Sequence, residues 1–241
     1  MEIRINNLQK YFGTKCAVNI PDYTINKGTI LGLVGNNGAG KTTFFRLLLD
    51  LLQTDKGEIH LGKINPATSE EWKIYTGAFI DESFLIDYLT PEEYFYFIGR
   101  VYGLKKETID DHLKVFDTFM NGEVLHQKKL IRNFSMGNKQ KIGIISAMLH
   151  HPQILILDEP FNFLDPSSQS IIRNLLKEYN EETGATILIS SHNLNHTTDI
   201  CPRIALLENG IILKDIDNIT KSANKELETY FATNHTQGYH E

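Results

Sequence analysis

The chain has 241 residues, 41% of them hydrophobic and 22% charged, and its 24 Lys+Arg against 30 Asp+Glu give a formal net charge of −6. That composition supports a sizeable core, as one large domain or a domain with a subdomain, and excludes a disordered chain. The acidic balance argues against a broad electrostatic footprint for nucleic acid, and no nucleic-acid partner is expected. No apolar run approaches the ~20 residues that span a bilayer, and Met1-Glu2-Ile3-Arg4 lacks the apolar stretch of a signal peptide, which predicts a cytosolic chain. Cys16 and Cys201 are far apart and embedded in apolar sequence, so they read as buried free thiols. The nine His residues show no metal-ligand spacing, and His150-His151 reads as the end of a helix before Pro152.

Residues Glu2 to Ile5 alternate polar and apolar side chains, and Cys16 to Ile20 form a second β-prone run that Pro21 is expected to break, which predicts an N-terminal β-meander. Between them, Lys10-Tyr11-Phe12-Gly13 offers aromatic side chains that either pack in the core or stack on a planar base; the residues alone favour the core. Ile30-Leu31-Gly32-Leu33-Val34 reads as a strand and Phe44 onward as a helix to about Leu52, with Gly35-Asn36-Asn37-Gly38-Ala39-Gly40-Lys41-Thr42-Thr43 between them. This G-x-x-x-x-G-K-[ST] pattern between strand and helix is a phosphate cradle. Its glycines let backbone N–H groups turn inward, Lys41 reaches β- and γ-phosphates, and the Thr42 hydroxyl can ligate Mg²⁺. The helix N-terminus behind it favours an anion. A polar turn at 54–57 and strands at Glu58 to Leu61 and Ile74 to Ile80 follow.

From about Ser83 to Ile131 the chain changes to long amphipathic stretches rich in aromatics, which predicts a helical subdomain. Thr90-Pro91 starts one helix, with Glu92 and Glu93 in its first turn, and Lys106 to Met120 follows. A loop at 132–134 leads into Ser135-Met136-Gly137-Asn138 and a helix from Lys139 to Leu149. Ile154-Leu155-Ile156-Leu157 is a buried parallel-strand run ending in Asp158-Glu159, and Ala185 to Ser190 repeats the type, ending in Ser191-His192. Between them Asp165-Pro166 caps a helix to about Glu182, with Gly184 beyond it. Strand, helix, strand predicts an α/β fold with polar residues at the carboxyl ends of parallel strands, where ligands bind. The polar stretch from about Ala232 to Glu241 reads as a frayed end.

An acidic residue at the end of a buried strand beside a phosphate loop supplies the hard oxygen that Mg²⁺ needs, and Asp158 fits that role. Glu159 would then face the γ-phosphate, where a carboxylate can orient or deprotonate the attacking water.

In the order of these motifs the chain resembles the nucleotide-binding domain of ABC transporters, over nearly its whole length from about Glu2 to Asp215. Gly35 to Thr43 matches the Walker A loop, Ile154 to Glu159 matches Walker B with its catalytic glutamate, and Ser135 to Gln140 stands where the family signature lies. Leu164-Asp165 matches the D-loop, and His192 matches the switch histidine that contacts the γ-phosphate. The resemblance also makes Tyr11 the adenine-stacking aromatic, against the core preference of the residues alone. Three departures stand out. Glu82 of Asp81-Glu82-Ser83 aligns with the usual metal-facing Gln; Phe134, Met136 and Asn138 replace common signature residues while Ser135 and Gly137 are kept; and Phe161-Asn162-Phe163 is bulky for its place before the D-loop.

The resemblance implies a P-loop NTPase of ABC type: a RecA-like ATP-binding core with a mainly parallel sheet and an N-terminal antiparallel β subdomain (1–82 and 151–241), and a helical subdomain (83–150) carrying the signature. It implies ATP and Mg²⁺ as cofactors, with Thr42, Glu82 and Asp158 toward the metal. Ser135, Met136, Gly137 and Asn138 would contact ATP held by the partner copy in a head-to-tail homodimer or a heterodimer with a second ATPase subunit. The chain would lie on the inner face of the membrane and drive integral-membrane permease subunits, with export favoured by the acid at the Gln position and by the lack of an extra C-terminal regulatory domain. Two rivals are a soluble ABC-type ATPase acting on nucleic acid or the ribosome, and a regulatory nucleotide switch with little turnover.

Overall fold

The computed structural model describes residues 1–218 and Leu227, and the described residues form nine strands and seven α-helices, numbered in chain order. Strands β1 (Ile3–Phe12), β2 (Lys15–Ile25) and β4 (Lys56–Leu61) make an antiparallel sheet in the order β2-β1-β4. The second sheet runs β5-β6-β7-β3-β8-β9, with β3 (Ile30–Val34), β5 (Thr76–Phe79), β6 (Ile154–Leu157), β7 (Thr186–Ser191) and β8 (Arg203–Glu208) parallel and β9 (Ile211–Asp217) antiparallel at the edge. This is the expected mainly parallel α/β core with an antiparallel β unit. Between β5 and β6 the regular elements are all helical: α2 (Pro91–Val101), α3 (Lys106–Lys114), α4 (Asp117–Met120) and α5 (Met136–Met148), with short 3₁₀ turns between.

Strands β3, β6 and β7 are buried at every position, so each carries a continuous apolar run whose alternate residues feed two cores. Leu31, Leu33, Ile154, Ile156 and Leu188 pack with Phe44 and Phe45 of α1 (Lys41–Leu48) and with Ile3 and Ile5 of the antiparallel sheet. Val34, Leu155, Leu157, Ile187 and Ile189 pack on the other face with Phe95 of α2, Ile145 of α5 and Ile172 of α6 (Pro166–Thr183).

The helix ends follow the sequence signals. Thr90 and Glu93 form a reciprocal capping box with Pro91 in the first turn, and Asp165 caps α6 by accepting from Ser167 N and Ser168 N at 2.9 and 3.0 Å. Gly184 closes α6 in the left-handed region at φ 63. Helix α5 is buried along Gln140–Met148 and presses closely on β5: a Cβ at Gly77 would fall 1.8 Å from the Ala147 carbonyl oxygen, and one at Gly143 would fall 2.1 Å from the Phe79 ring. Only glycine at both positions permits that approach.

Several sequence expectations change. The strand expected from Ile74 to Ile80 shortens to Thr76–Phe79, because Glu71–Tyr75 forms a 3₁₀ turn that buries Trp72 and leaves Ile74 exposed. Pro21 does not end its strand; β2 continues to Ile25, since β2 is an edge strand and the missing N–H costs no ladder bond. The stretch 106–120 splits into α3 and α4, and α1 ends at Leu48 rather than near Leu52. Both cysteines are free, Cys201 buried and Cys16 only partly so. Helix α5 starts at Met136, earlier than expected, and ends just before the His pair. No helix of the described residues is long and apolar enough to cross a membrane. The tail expected at 232–241 lies outside the described residues.

His150 lies beyond α5, stacked on Tyr102 at 3.6 Å between ring centroids, and burial pushes its pKa down to about 4. Unfolded, an imidazole titrates near ~6.5, so between these values the unfolded chain binds the extra proton, and stability is lost as pH falls through that window. His150→Phe, which keeps the stack, is expected to hold stability at pH 7.5 within about 1.5 kcal/mol. It should also flatten the loss between pH 6.5 and 4.5 in thermal melts. A loss as steep as that of the unchanged protein would place the acid sensitivity elsewhere.

Candidate functional site

The parallel register brings three strand ends together: Val34 pairs with Ser191, and Leu157 with Ile189. From them emerge the phosphate loop, Asp158-Glu159 and Ser191-His192. A cavity of about 320 Å³ opens there, lined by residues 37–43, Glu159, and from the antiparallel sheet by Phe12, Cys16 and Ala17.

Gly40 caps α1 with φ 109, a conformation that L side chains rarely adopt, and a Cβ there would lie 2.6 Å from the Ala17 carbonyl oxygen. That glycine turns the loop so that α1 begins at Lys41, its N-terminus aimed at the cavity. The Lys41 ammonium is 2.7 Å from Gly35 O and 3.5 Å from Glu159 Oε1. A further, longer contact runs to Asn36 O at 3.4 Å, and a cation held by loop carbonyls and a distant carboxylate can turn to phosphate oxygens.

Thr42 Oγ1 donates to Asp158 Oδ2 at 2.5 Å, and Ser190 Oγ donates to Asp158 Oδ1. Burial raises the Asp158 pKa above its ordinary value, against these two hydrogen bonds, which favour the charged form. Hydroxyl and carboxylate in contact are the hard donor set that Mg²⁺ takes together with phosphate oxygens and water. Among the described residues there is no group of three or more His, Cys, Asp or Glu placed to hold a metal ion.

Glu159 has φ 48, left-handed for a residue with a side chain. Its N–H donates to Ser190 Oγ at 2.8 Å, and its carbonyl accepts from Asn162 N at 3.1 Å and Gln140 Nε2 at 3.2 Å. The carboxylate lies between Lys41 and His192, with Oε2 2.9 Å from His192 Nδ1 and 3.3 Å from the His192 N–H. A carboxylate so oriented, at the mouth of a phosphate loop, can take a proton from a water placed there.

Lys41, Thr42, Asp158, Glu159 and His192, predicted from separate motifs, thus form one connected centre. Ser135, Met136, Gly137 and Asn138 do not line its cavity; Ser135 caps α5, accepting from Asn138 N at 3.3 Å. Asp165 caps α6, and hydrogen bonds from Ser167 and Ser168 hold its carboxyl well below the usual range.

Two of the expected site residues stand apart from the cavity lining. Phe12, not Tyr11, is the aromatic wall of the cavity. Tyr11 pairs across the strands with Cys16, and its hydroxyl donates to Gln9 Oε1, 3.4 Å away. Glu82, expected beside the metal, is joined instead to Lys139 of α5 at 3.0 Å. Its neighbour Asp81 binds Arg46 at 3.2 Å, one turn along α1 from Thr42. Asp81 caps a 3₁₀ turn over Glu82–Phe84, and that turn carries Glu82 outward. Sequence reasoning also missed Ser190 and Gln140, which hold Asp158 and Glu159; the polar Ser190 after the apolar run Ile187-Leu188-Ile189 was the available signal.

Residues 18–162 match the family model described as ABC transporter. The chain is 34% identical to the bacitracin transport ATP-binding protein BcrA of Bacillus licheniformis over 94% of its own length and 74% of the relative's. It is 35% identical to an uncharacterized ABC transporter ATP-binding protein of Methanocaldococcus jannaschii, over 87% of this chain and 75% of the relative. A solved ATP-binding subunit of an ABC transporter superposes with a TM-score of 0.82 at 25% identity, covering 90% of each chain. A dimeric cassette bound to ADP and Pi shares the fold at a TM-score of 0.80 and 22% identity, over 90% of this chain and 98% of that one. With the phosphate loop, the buried aspartate and the glutamate–histidine pair assembled at one set of strand ends, the chain belongs to the ABC transporter family as an ATP-hydrolysing, nucleotide-binding cassette.

Proposed function

We propose that this cassette closes head to tail with a second cassette around two Mg·ATP and powers export through separate membrane-spanning subunits on the inner face of the membrane. The observation that carries the composite site is the separation of two phosphate-binding devices. The loop 35–43 has its catalytic carboxylate beside it, whereas Ser135 opens α5, a buried thirteen-residue helix, at an exposed end outside that cavity. A helix N-terminus with an exposed capping serine and the Gly137 N–H suits a phosphate, and a two-fold partner is the way to bring one there. Dimeric solved cassettes of this fold support the arrangement. On this reading residues 83–150 act as the helical unit that holds the signature away from its own phosphate loop.

Within each site Lys41 neutralises β- and γ-phosphate charge, and Thr42 and Asp158 would hold Mg²⁺. The ion supplies further charge neutralisation across those phosphates. Glu159 accepts the proton of the attacking water, and His192, 2.9 Å from it, orients the carboxylate and reaches the γ-phosphate. The side chain of Phe12 stacks on the adenine at the far wall.

A membrane partner is supported by a second cavity of about 330 Å³, lined by Leu49, Trp72, Ile80, Phe84 and Tyr102 and bordered by the exposed side chain of Leu51. Its lining residue Ile80 precedes Asp81 in the chain, and Asp81 pairs with Arg46 of the phosphate-loop helix. The bacitracin transport relatives of Bacillus licheniformis and Enterococcus faecalis support a transport role, and the acid in place of Gln favours export.

Glu159→Gln is expected to keep ATP binding and lower hydrolysis by about a hundredfold or more, the contribution of a general base. Phosphate release and equilibrium binding of a fluorescent ATP analogue measure the two. Hydrolysis undiminished would remove Glu159 from the catalytic role.

An equal mixture of Lys41→Ala and Ser135→Arg chains should recover about a quarter of the unmutated ATPase rate, since half the dimers are mixed and each then has one intact site of two. Unmutated chains mixed equally with the double variant should also give about a quarter, all of it from unmutated homodimers, because the mixed dimers carry one defect per site. No activity in the first mixture with about half the rate in the second, the outcome for sites confined to one chain, would rule out a shared site.

A further inference from the structure

Glu159 is held in a backbone conformation that side chains avoid, at φ 48. Such strain persists only where the surroundings over-determine it, so the groups that fix its peptide also fix where its carboxylate points. Two of them are local to the core, Ser190 Oγ on the N–H and Asn162 N on the carbonyl. The third comes from elsewhere in the chain. Gln140, 8% exposed, reaches out of α5 and donates its Nε2 to the Glu159 carbonyl at 3.2 Å. A second contact joins the same two segments, because a Cβ on Gly137 would stand 2.6 Å from the Phe163 carbonyl oxygen. Gln169 of α6 secures the rest of that segment, donating to Phe161 O and Leu164 O at 3.1 Å each.

We infer that Gln140 is a positioning residue for hydrolysis: its amide clamps the backbone of Glu159 and thereby ties the signature helix to the catalytic carboxylate of the same chain. The inference rests on the reading of Glu159 as the proton acceptor. Its consequence is mechanical. Ser135 and Gln140 are five residues apart on one helix, about 7.5 Å along the axis. Helix α5 is wedged on β5 by Gly77 and Gly143 and cannot bend freely. An ATP seated on Ser135 by the partner is therefore felt at Glu159, so occupancy of one composite site sets the aim of the carboxylate in the other. Gln140 itself touches neither nucleotide.

Gln140→Met keeps the length and removes the donor, and Gln140→Glu keeps the shape and sets a carboxylate against a carbonyl oxygen. With the full chain and Mg·ATP, Gln140→Met is expected to lower kcat about fivefold, the loss of one buried neutral hydrogen bond. KM for ATP should stay within about twofold, because the phosphate loop is untouched. Gln140→Glu should lower kcat further. In a Glu159→Gln background the Gln140→Met change should leave the residual rate unaltered, since there is no carboxylate left to aim. Unchanged kcat in both single variants overturns the inference, as does a fall that persists undiminished in the Glu159→Gln background. A rise in KM matching the fall in kcat, or a collapse of the melting temperature in both variants, makes Gln140 a structural residue and overturns it too. The two levels separate cleanly: Glu159→Gln hydrolysing at the unmutated rate sinks the catalytic reading, whereas a slow Glu159→Gln beside a fully active Gln140→Met sinks the clamp alone.

Discussion

The buried carboxylate of Asp158 is the joint on which the rest turns. It follows β6, accepts from Thr42 at the start of the helix after β3, and accepts from Ser190 in β7, so three parallel strands are fastened together at their carboxyl ends by one side chain. Burial opposes its charge, and the two hydroxyl donors favour the ionised form. The same oxygens that satisfy it here are those a divalent cation would want. Structural economy and chemistry therefore coincide: a residue that must be polar to serve the metal is affordable in the core because the phosphate-loop threonine and a strand serine bind it.

The sheet makes that joint possible by being apolar on both faces. Alternate residues of β3, β6 and β7 divide between the core under the antiparallel sheet and the core under the helices. The two-sided burial leaves the strands no register but one, since a slip of one residue would carry a whole side-chain set to the wrong face. With register fixed, the strand ends align, and the loops that leave them meet. The site is a consequence of packing several residues away.

Helix α5 has a different position in this scheme. It is packed along most of its length, lies against β5 through two glycines, and makes hydrogen bonds to the backbone after β6. Its first residues, Ser135 and Met136, are nevertheless exposed, with the serine as cap. A rigid body with one end in a core and the other presented to a neighbour is suited to carrying a signal between two sites. The ion pair of Lys139 with Glu82 adds a contact from the same helix to the segment beside the apolar cleft.

The family, the phosphate loop, the two acids after β6, the capped helices and the parallel strands were all legible in the sequence, because each rests on local rules. Glycines in a fixed spacing, a proline after a capping aspartate, and a run of four aliphatic residues keep their meaning wherever they are folded. What the sequence did not decide was which of two adjacent residues lines the cavity or pairs with the phosphate-loop helix. Tyr11 and Phe12 differ by one step on a strand, and Asp81 and Glu82 by one step in a turn; choosing between them requires the pleat of β1 and the 3₁₀ turn after β5, which long-range pairing sets. Pro21 misled for the same reason, since its cost depends on whether β2 is an edge, and that is a property of the sheet. Gln140 and Ser190 were hidden more deeply, as their partners lie 19 and 32 residues away along the chain. Side-chain hydrogen bonds to a remote backbone or carboxylate leave no periodicity in sequence, so only the tertiary structure could show which polar residues aim the catalytic pair.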